Sequence, residues 1–275
     1  MTDFAEVAPD VYVLRYPVFD VNVTLVVGEG AALVVDTLST PAQAAELVDA
    51  VRRVTPHPWA IVNTHHHFDH CFGNAVLSGD SGCAIWGHEE AATLLREHAA
   101  KLQREWYEEW LPSHPDLATG LAEAVVLPPN RTVHLESTVD VGGRPVALRH
   151  FGRGHTAGDL VVHVPDADLL IAGDLIAESG PPMFGDAYPL DWPDTVAELM
   201  RMVTASTVVV PGHGAVVDLG FVHDQHADLV ALAWLIRDGH ADSAPVEAVA
   251  ARSPFGAKAS VEAVRRGYAE LAGRD

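Results

Sequence analysis

Sixteen histidines mark this 275-residue chain, and four of its short apolar runs end in residues able to hold a metal ion. Trp59-Ala60-Ile61-Val62 leads into His65, His67, Asp69 and His70. Val146–Phe151 leads through Gly152-Arg153-Gly154 to His155, Leu169–Ala172 through Gly173 to Asp174, and Val208–Pro211 through Gly212 to His213. His65 and His67 are two residues apart, so an extended backbone sends both imidazoles to one side, and the turn that follows can aim Asp69 and His70 at a second position. If neighbouring strands present the same ends, seven ligands converge on one sheet edge, which suits a pair of metal ions. Imidazole and carboxylate without thiolate match zinc, iron or manganese better than copper(I). Glycine precedes each of His155, Asp174 and His213, where a residue without Cβ lets backbone come close to a metal cluster. Three consecutive histidines alone suit a loose surface binder, but that reading leaves the three remote Gly-His and Gly-Asp strand ends unexplained.

The elements that must carry these residues are legible from periodicity. Strands are expected at Val11–Arg15, Asn22–Val27 and Ala31–Asp36, then a helix from about Pro41 to Val54, opened by Ser39-Thr40-Pro41 and carrying Ala44, Leu47, Val48 and Val51 at helical spacing. A buried strand at Trp59–Val62 precedes the histidine cluster. From His88 to about Leu111 the pattern is helical, with Leu95, Leu102, Trp106 and Trp110 on one stripe that reads first as packing and second as an aromatic wall over a site. Strand-like runs follow at Val146–Phe151, Leu160–Val164, Leu169–Ala172 and Val208–Val210, and helices at about Gly220–Asp238, Pro245–Ala251 and Lys258–Ala272. Strands mixed with helices in both halves indicate a layered α/β or α+β architecture.

Composition bounds the function. Hydrophobic residues at 48% and charged residues at 20% describe an ordinary globular protein with a sizeable core. A formal charge of −21, from 38 Asp+Glu against 17 Lys+Arg, repels phosphate backbones, so no nucleic-acid partner is expected. No apolar run approaches the roughly 18 residues of a membrane span, and Met1–Glu6 has no basic segment leading into an apolar stretch. The expectation is a cytoplasmic protein acting on a small molecule, with Cys71 and Cys83 as free thiols and a homodimer contact open to the Trp106/Trp110 stripe.

Thr64-His65-His66-His67-Phe68-Asp69-His70 resembles the signature of the metallo-β-lactamase-fold superfamily, and Gly154-His155-Thr156, Ala172-Gly173-Asp174 and Pro211-Gly212-His213-Gly214 resemble its later motifs in the right order. The resemblance covers about Val11 to Gly214. It implies an α+β fold, a four-layer αββα sandwich with metals at one edge between two sheets. It further implies a catalytic domain over 1–240 with a helical insertion at about 88–127, and a C-terminal helical extension over 241–275. Carried over residue by residue, His65, His67 and His155 would hold one metal, Asp69, His70 and His213 the other, and Asp174 would bridge. Two zinc ions about 3.5–4 Å apart would share a water, lower its pKa toward neutrality and polarise a substrate carbonyl, with Asp69 orienting the hydroxide and passing its proton to the leaving group. β-Lactamases of the superfamily generally place cysteine, or no carboxylate, where this chain has Asp174. The carboxylate together with His70 instead resembles the glyoxalase II and lactonase branch.

Other residues carry weaker expectations. His66 lies between ligands and should point away from them, Cys71 reads as a small buried thiol, His88 as a helix cap or polar surface residue, and His223 and His226 as a solvated helix face. In the Pro-, Gly- and aromatic-rich stretch 178–192, Tyr188 could hydrogen-bond a carbonyl or leaving group, as in related lactonases, and Phe184 and Trp192 could line an apolar pocket. Lys258, Arg265, Arg266 and Tyr268 fit an amphipathic helix better than a ligand grip. The function expected is hydrolysis of a small ester, lactone or thioester by two zinc ions. Three alternatives stand: a mononuclear iron sulfur (persulfide) dioxygenase, a β-lactamase-like hydrolase, or a non-catalytic metal-binding module.

Overall fold

A computed structural model describes residues 3–80 and 82–273. The first half runs β1 (Ala5–Ala8), β2 (Val11–Tyr16), β3 (Val21–Val27), β4 (Ala32–Val35), α1 (Pro41–Val54), β5 (Trp59–Val62), α2 (Phe68–Cys71), α3 (Asn74–Ser78), β6 (Ile85–His88), α4 (Glu89–Trp110), α5 (Pro115–Glu123) and β7 (Arg131–Val133). The second runs β8 (Glu136–Asp140), β9 (Pro145–Arg149), β10 (Val161–Val164), β11 (Leu169–Ala177), α6 (Trp192–Met200), β12 (Val208–His213), α7 (Leu219–Ala241), α8 (Val246–Ala250) and α9 (Ala257–Leu271).

Strand order is β7-β6-β5-β4-β3 followed by β12-β11-β10-β9-β8, with β2 and then β1 also flanking β3. Among the described residues the two halves pair as strands at Val21 opposite His213. Strand alternation then builds layers, because successive side chains take opposite faces. On β4, Leu33 and Val35 enter a core shared with Val162, Leu169 and Val210 of the other half, while Ala32 and Val34 face Leu47 and Val51 of α1. On β11, Leu169 and Ile171 join that shared core, while Leu170 and Ala172 pack with Val196, Leu232 and Val264 of the helices beyond. Helix, sheet, sheet and helix therefore lie in four layers, as the sequence motifs implied.

Local signals set the element ends. Thr40 caps α1 by accepting from the Gln43 N–H at 3.2 Å, Gln43 Oε1 accepts from the Ser39 N–H at 3.1 Å, and Pro41 opens the first turn. The expected strand over 169–172 runs on to Ala177, and its register against β12 shifts on either side of Gly173. Asp174 therefore sits within an irregular strand rather than beyond its end. Gly173 has a φ of +54°, and a Cβ there would lie 2.8 Å from the Thr64 side chain, so the glycine is required both by conformation and by space. Helix α2 falls in the turn expected after His67, α5 lies inside the helical insertion expected over about 88–127, and α6 begins at the end of the loop read over 178–192 and runs into a stretch given no element. They are short, at four and nine residues, and tertiary packing rather than periodicity holds them.

His88 acts as the expected cap. Its Nδ1 accepts from the Glu90 N–H at 3.3 Å and its Nε2–H donates to the His134 carbonyl at 3.0 Å, so both nitrogens are used only by the neutral ring. Burial, with the His150 ring centroid 4.0 Å away, lowers its pKa to about 4. The unfolded chain binds that proton near pH 6.5, so this contribution is complete above pH 6.5 and is lost as pH falls toward 4. Thermal melts should show a shallower fall of Tm between pH 6.5 and 4 in His88→Asn than in the native chain. Equal slopes would remove the assignment.

Candidate metal centre

β5 is buried between parallel neighbours β4 and β6, and its exit delivers Asn63 to His67 into α2. The segment is pinned from behind: the Thr37 N–H and the Asn63 side-chain amide both donate to the His70 carbonyl, at 2.9 and 3.1 Å. His155 follows β9 in a turn that the Asp159 carboxylate closes by accepting from the Thr156 N–H at 2.9 Å and its hydroxyl at 2.7 Å. His213 ends β12, where Asn22 Nδ2 donates to the carbonyls of Pro211 and Gly214, each at 2.9 Å. A Cβ at Gly212 would lie 1.8 Å from Asp174 Oδ1, which explains the glycine beside the carboxylate.

These elements bring all seven expected ligands together. One group comprises His65, His67, His155 and Asp174, and another Asp69, His70 and His213, each with its ligand atoms within 4.8 Å of one another. His67 Nδ1 lies 2.9 Å from His155 Nε2, and His70 Nε2 lies 3.3 Å from His213 Nε2. Asp174 stands between the groups: Oδ2 is 3.4 Å from His155 Nε2 and 3.2 Å from His213 Nε2, while Oδ1 is 3.2 Å from His70 Nε2. Asp69 Oδ2 lies 3.4 Å from His213 Nε2. Burial pushes the His65 imidazole well below its ordinary value. Burial also opposes charge on Asp174, yet the imidazoles of His213, His70, His155 and His65 hold its carboxyl well below the usual range.

The outward nitrogens test whether a metal fits. His65 Nδ1 meets Thr64 Oγ1 at 3.0 Å, His67 Nε2 meets Asp186 Oδ1 at 3.0 Å, and His70 Nδ1 meets Asp36 Oδ2 at 2.8 Å. His155 Nδ1 faces the Met183 carbonyl at 3.2 Å and His213 Nδ1 the Phe19 carbonyl at 2.8 Å. Each partner accepts a proton from the outer nitrogen, which turns the inner nitrogen toward the cluster. Burial opposes charge on His67, His70 and His213, yet the carboxylates around them push His67 and His213 up to about 9 and His70 well above its ordinary value, so a bound cation would take the place of inner protons. The buried His65 Nε2 and Asp174 Oδ1 have no hydrogen-bond partner. Buried polar atoms left so are costly unless a cation meets them. The donor set and its orientation fit divalent cations of the zinc, iron or manganese kind.

The structure adds residues that sequence patterning missed. Asp36, buried at 2% exposure, accepts from the Thr64 N–H and hydroxyl, both at 2.8 Å, besides holding His70. A carboxylate ending an apolar strand was the available signal. Asp186 bonds His66 Nε2 at 3.1 Å as well as His67, so His66 turns from the ligands but joins the same loop. Phe19 and Asp20 both take left-handed φ, +59° and +61°, in a turn secured by the Arg15–Asp20 ion pair, and this presents the Phe19 carbonyl to His213. The α4 stripe is the aromatic wall: the Trp106 ring centroid lies 6.1 Å from that of His67 and 5.3 Å from that of Phe68.

Tyr188 is a correction. Its ring lies under Arg153, 4.2 Å from the guanidinium carbon, with Arg266 on it at 5.5 Å, and it lines a separate cavity beside His88 and His134. The Tyr188 N–H donates to the Gly154 carbonyl, so backbone pairing turns the side chain away from the metal cluster. Phe184 and Trp192 are likewise core residues, 2% and 0% exposed. Arg266 does more than solvate α9: it donates to the carbonyls of Ala187 and Gly185, on either side of Asp186. Cys71 is buried and its thiol donates to the His66 carbonyl at 3.1 Å, a packing role as expected. His223 and His226 join no metal-binding group among the described residues.

A profile of the metallo-beta-lactamase superfamily matches residues 16–213. The chain belongs to this superfamily. An acyl-coenzyme A thioesterase of Gallus gallus is 29% identical over 213 residues, 70% of this chain and 72% of that one. An uncharacterized protein of Mycobacterium tuberculosis (strain ATCC 25618 / H37Rv) is 27% identical over 173 residues, 59% of this chain and 72% of the relative. Among solved structures, a metallo-beta-lactamase from Pontibacter korlensis superposes with a TM-score of 0.66 at 20% identity, covering 83% of this chain and 99% of the other. At that identity the likeness shows the metallo-beta-lactamase fold alone.

Orientation of the superfamily ligands through Asp36 and Asp186 has a measurable consequence. Asp36→Asn and Asp186→Asn should each weaken zinc affinity about 10- to 100-fold in chelator competition, with unchanged far-ultraviolet circular dichroism. Native affinity in both variants would show that these carboxylates do not orient His70 and His67.

Proposed function

We propose that the chain is a dinuclear zinc hydrolase that cleaves a small ester, lactone or thioester in the cytoplasm. The observation that carries this reading is the pair of ligand groups meeting at Asp174 on the floor of a cleft of about 530 Å³. A mononuclear iron dioxygenase needs only His65, His67, His155 and Asp174, and leaves the matching convergence of Asp69, His70 and His213 without a purpose. The thioesterase relative supports acyl transfer to water as the chemistry. Two unpaired thiols, Cys71 and Cys83, suit a reducing compartment, and no helix among the described residues is long and apolar enough to cross a membrane.

A bound pair of divalent ions supplies Lewis acidity and makes hydroxide available near neutral pH. The remaining work falls to the protein. Asp69 lines the cleft beside His70 and His213, with its side chain 11% exposed, so its carboxylate can take a proton from water and hand it to a leaving group. Phe68 and Trp106 form an apolar wall that packs the acyl part and excludes bulk water. Met183, whose carbonyl meets His155 while its side chain stands 64% exposed, closes the opposite side.

Metal analysis of protein purified without added metal, paired with an ester, lactone, thioester and β-lactam panel, tests the proposal. Near two zinc per chain with turnover of an ester-type substrate is expected. One iron per chain with oxygen consumption would replace the reading by the dioxygenase, and a zinc-loaded protein inert to the whole panel would replace it by a binding module. In the hydrolase, Asp69→Ala should lower kcat by about 10²- to 10⁴-fold with a smaller change in KM.

A further inference from the structure

We propose that the cleft selects substrates whose solvent-facing end is cationic or uncharged and turns away anionic ones. The inference rests on the hydrolase reading above and specifies its substrate. Three carboxylates, Asp69, Asp174 and Asp186, lie at the cleft floor, and Glu105 and Glu109 stand on its α4 wall; among the described lining residues there is no lysine or arginine. Two divalent ions would offset the floor charge, so the two glutamates set the sign of the wall.

Helical spacing makes that wall a recognition surface. Glu105 and Glu109 are four residues apart, as are Trp106 and Trp110, so α4 presents two indoles with a carboxylate beside each. Both rings pack on aromatic neighbours, Trp106 on Phe68 at 5.3 Å and Trp110 on Phe19 at 4.7 Å between centroids, so the attraction of this wall for a cation comes from its two carboxylates. Glu105 pairs with Lys101 at 3.8 Å, but these side chains are 55% and 71% exposed, so solvent screens the pair. A net charge of −21 adds long-range repulsion of anions. The phosphates of a coenzyme A leaving group, as handled by the avian relative, would meet no basic side chain along this wall. An apolar acyl group bound near Trp106, with an amine or a neutral group toward Glu105 and Glu109, meets complementary surface.

The test uses zinc-loaded protein and three matched aryl thioesters that differ only at the outer end: trimethylammonium, methyl or sulfonate. Their non-hydrolysable ketone analogues are titrated by quenching of tryptophan fluorescence. At low salt the cationic analogue should bind about fivefold to tenfold more tightly than the anionic one, narrowing to under about twofold near 0.5 M salt. The thioesters should follow the same order in kcat/KM. Glu105→Lys with Glu109→Lys, both on the exposed side of α4, should invert the order. Tightest binding by the anionic analogue in the native protein, or an order untouched by the double charge reversal, would overturn the proposal. Binding in the expected order without turnover of any thioester would sink the hydrolase reading and leave the charge selection standing, whereas turnover favouring the anion would do the reverse.

Discussion

Five imidazoles and two carboxylates share a largely buried space at the floor of a cleft, and the rest of the molecule is arranged around making that tolerable. His65 and His70 have side chains 0% exposed and His155 1%, so none can satisfy its inner nitrogen from bulk solvent. Inner nitrogens 2.9 and 3.3 Å apart need a proton or a metal ion between them. The outward contacts to Thr64, Asp186, Asp36, Met183 and Phe19 set that condition, because each takes one ring proton and turns the other nitrogen inward.

The same constraint accounts for the way the two sheets meet. Asp69 and His70 descend from the first half of the fold, Asp174 and His213 from the second, and among the described residues the halves pair as strands at Val21 and His213. Asn22, buried at 4% exposure, bonds the backbone on both sides of His213 and so ties one half to the other beside the ligands. The shared apolar core behind this junction keeps both strand ends in place. A rigid scaffold of strands brings these ligands close from strand ends and the turns beyond them.

Around the ligand cluster the fold adds two adjustable walls. One is α4, anchored by Leu95 in a small core with Phe72 and Leu121 and carrying its tryptophans over the cleft. The other is the stretch 178–191, which Arg266 of α9 grips at the carbonyls flanking Asp186. The C-terminal helices therefore bear on the ligand cluster at one remove: α9 holds the loop, the loop holds Asp186, and Asp186 holds His67. Both walls line the cleft above the candidate metal centre.

By itself the sequence determined the ligand types, their order and the layered fold. These are written in local patterns: the continuous apolar runs of β4 and β11, the cap at Thr40, and glycine before each remote ligand. It also placed the tryptophan stripe on one helix face, because 3.6-residue periodicity needs no partner to be read. Tertiary structure alone decided which carboxylates orient the rings. Asp36 and His70 are 34 residues apart and Asp186 and His67 119, and no short-range pattern links residues that meet only once the chain is folded. It decided against Tyr188 for a related reason. Composition marks a stretch as loop, but backbone pairing to Gly154 and two guanidinium groups choose which way its aromatic ring turns.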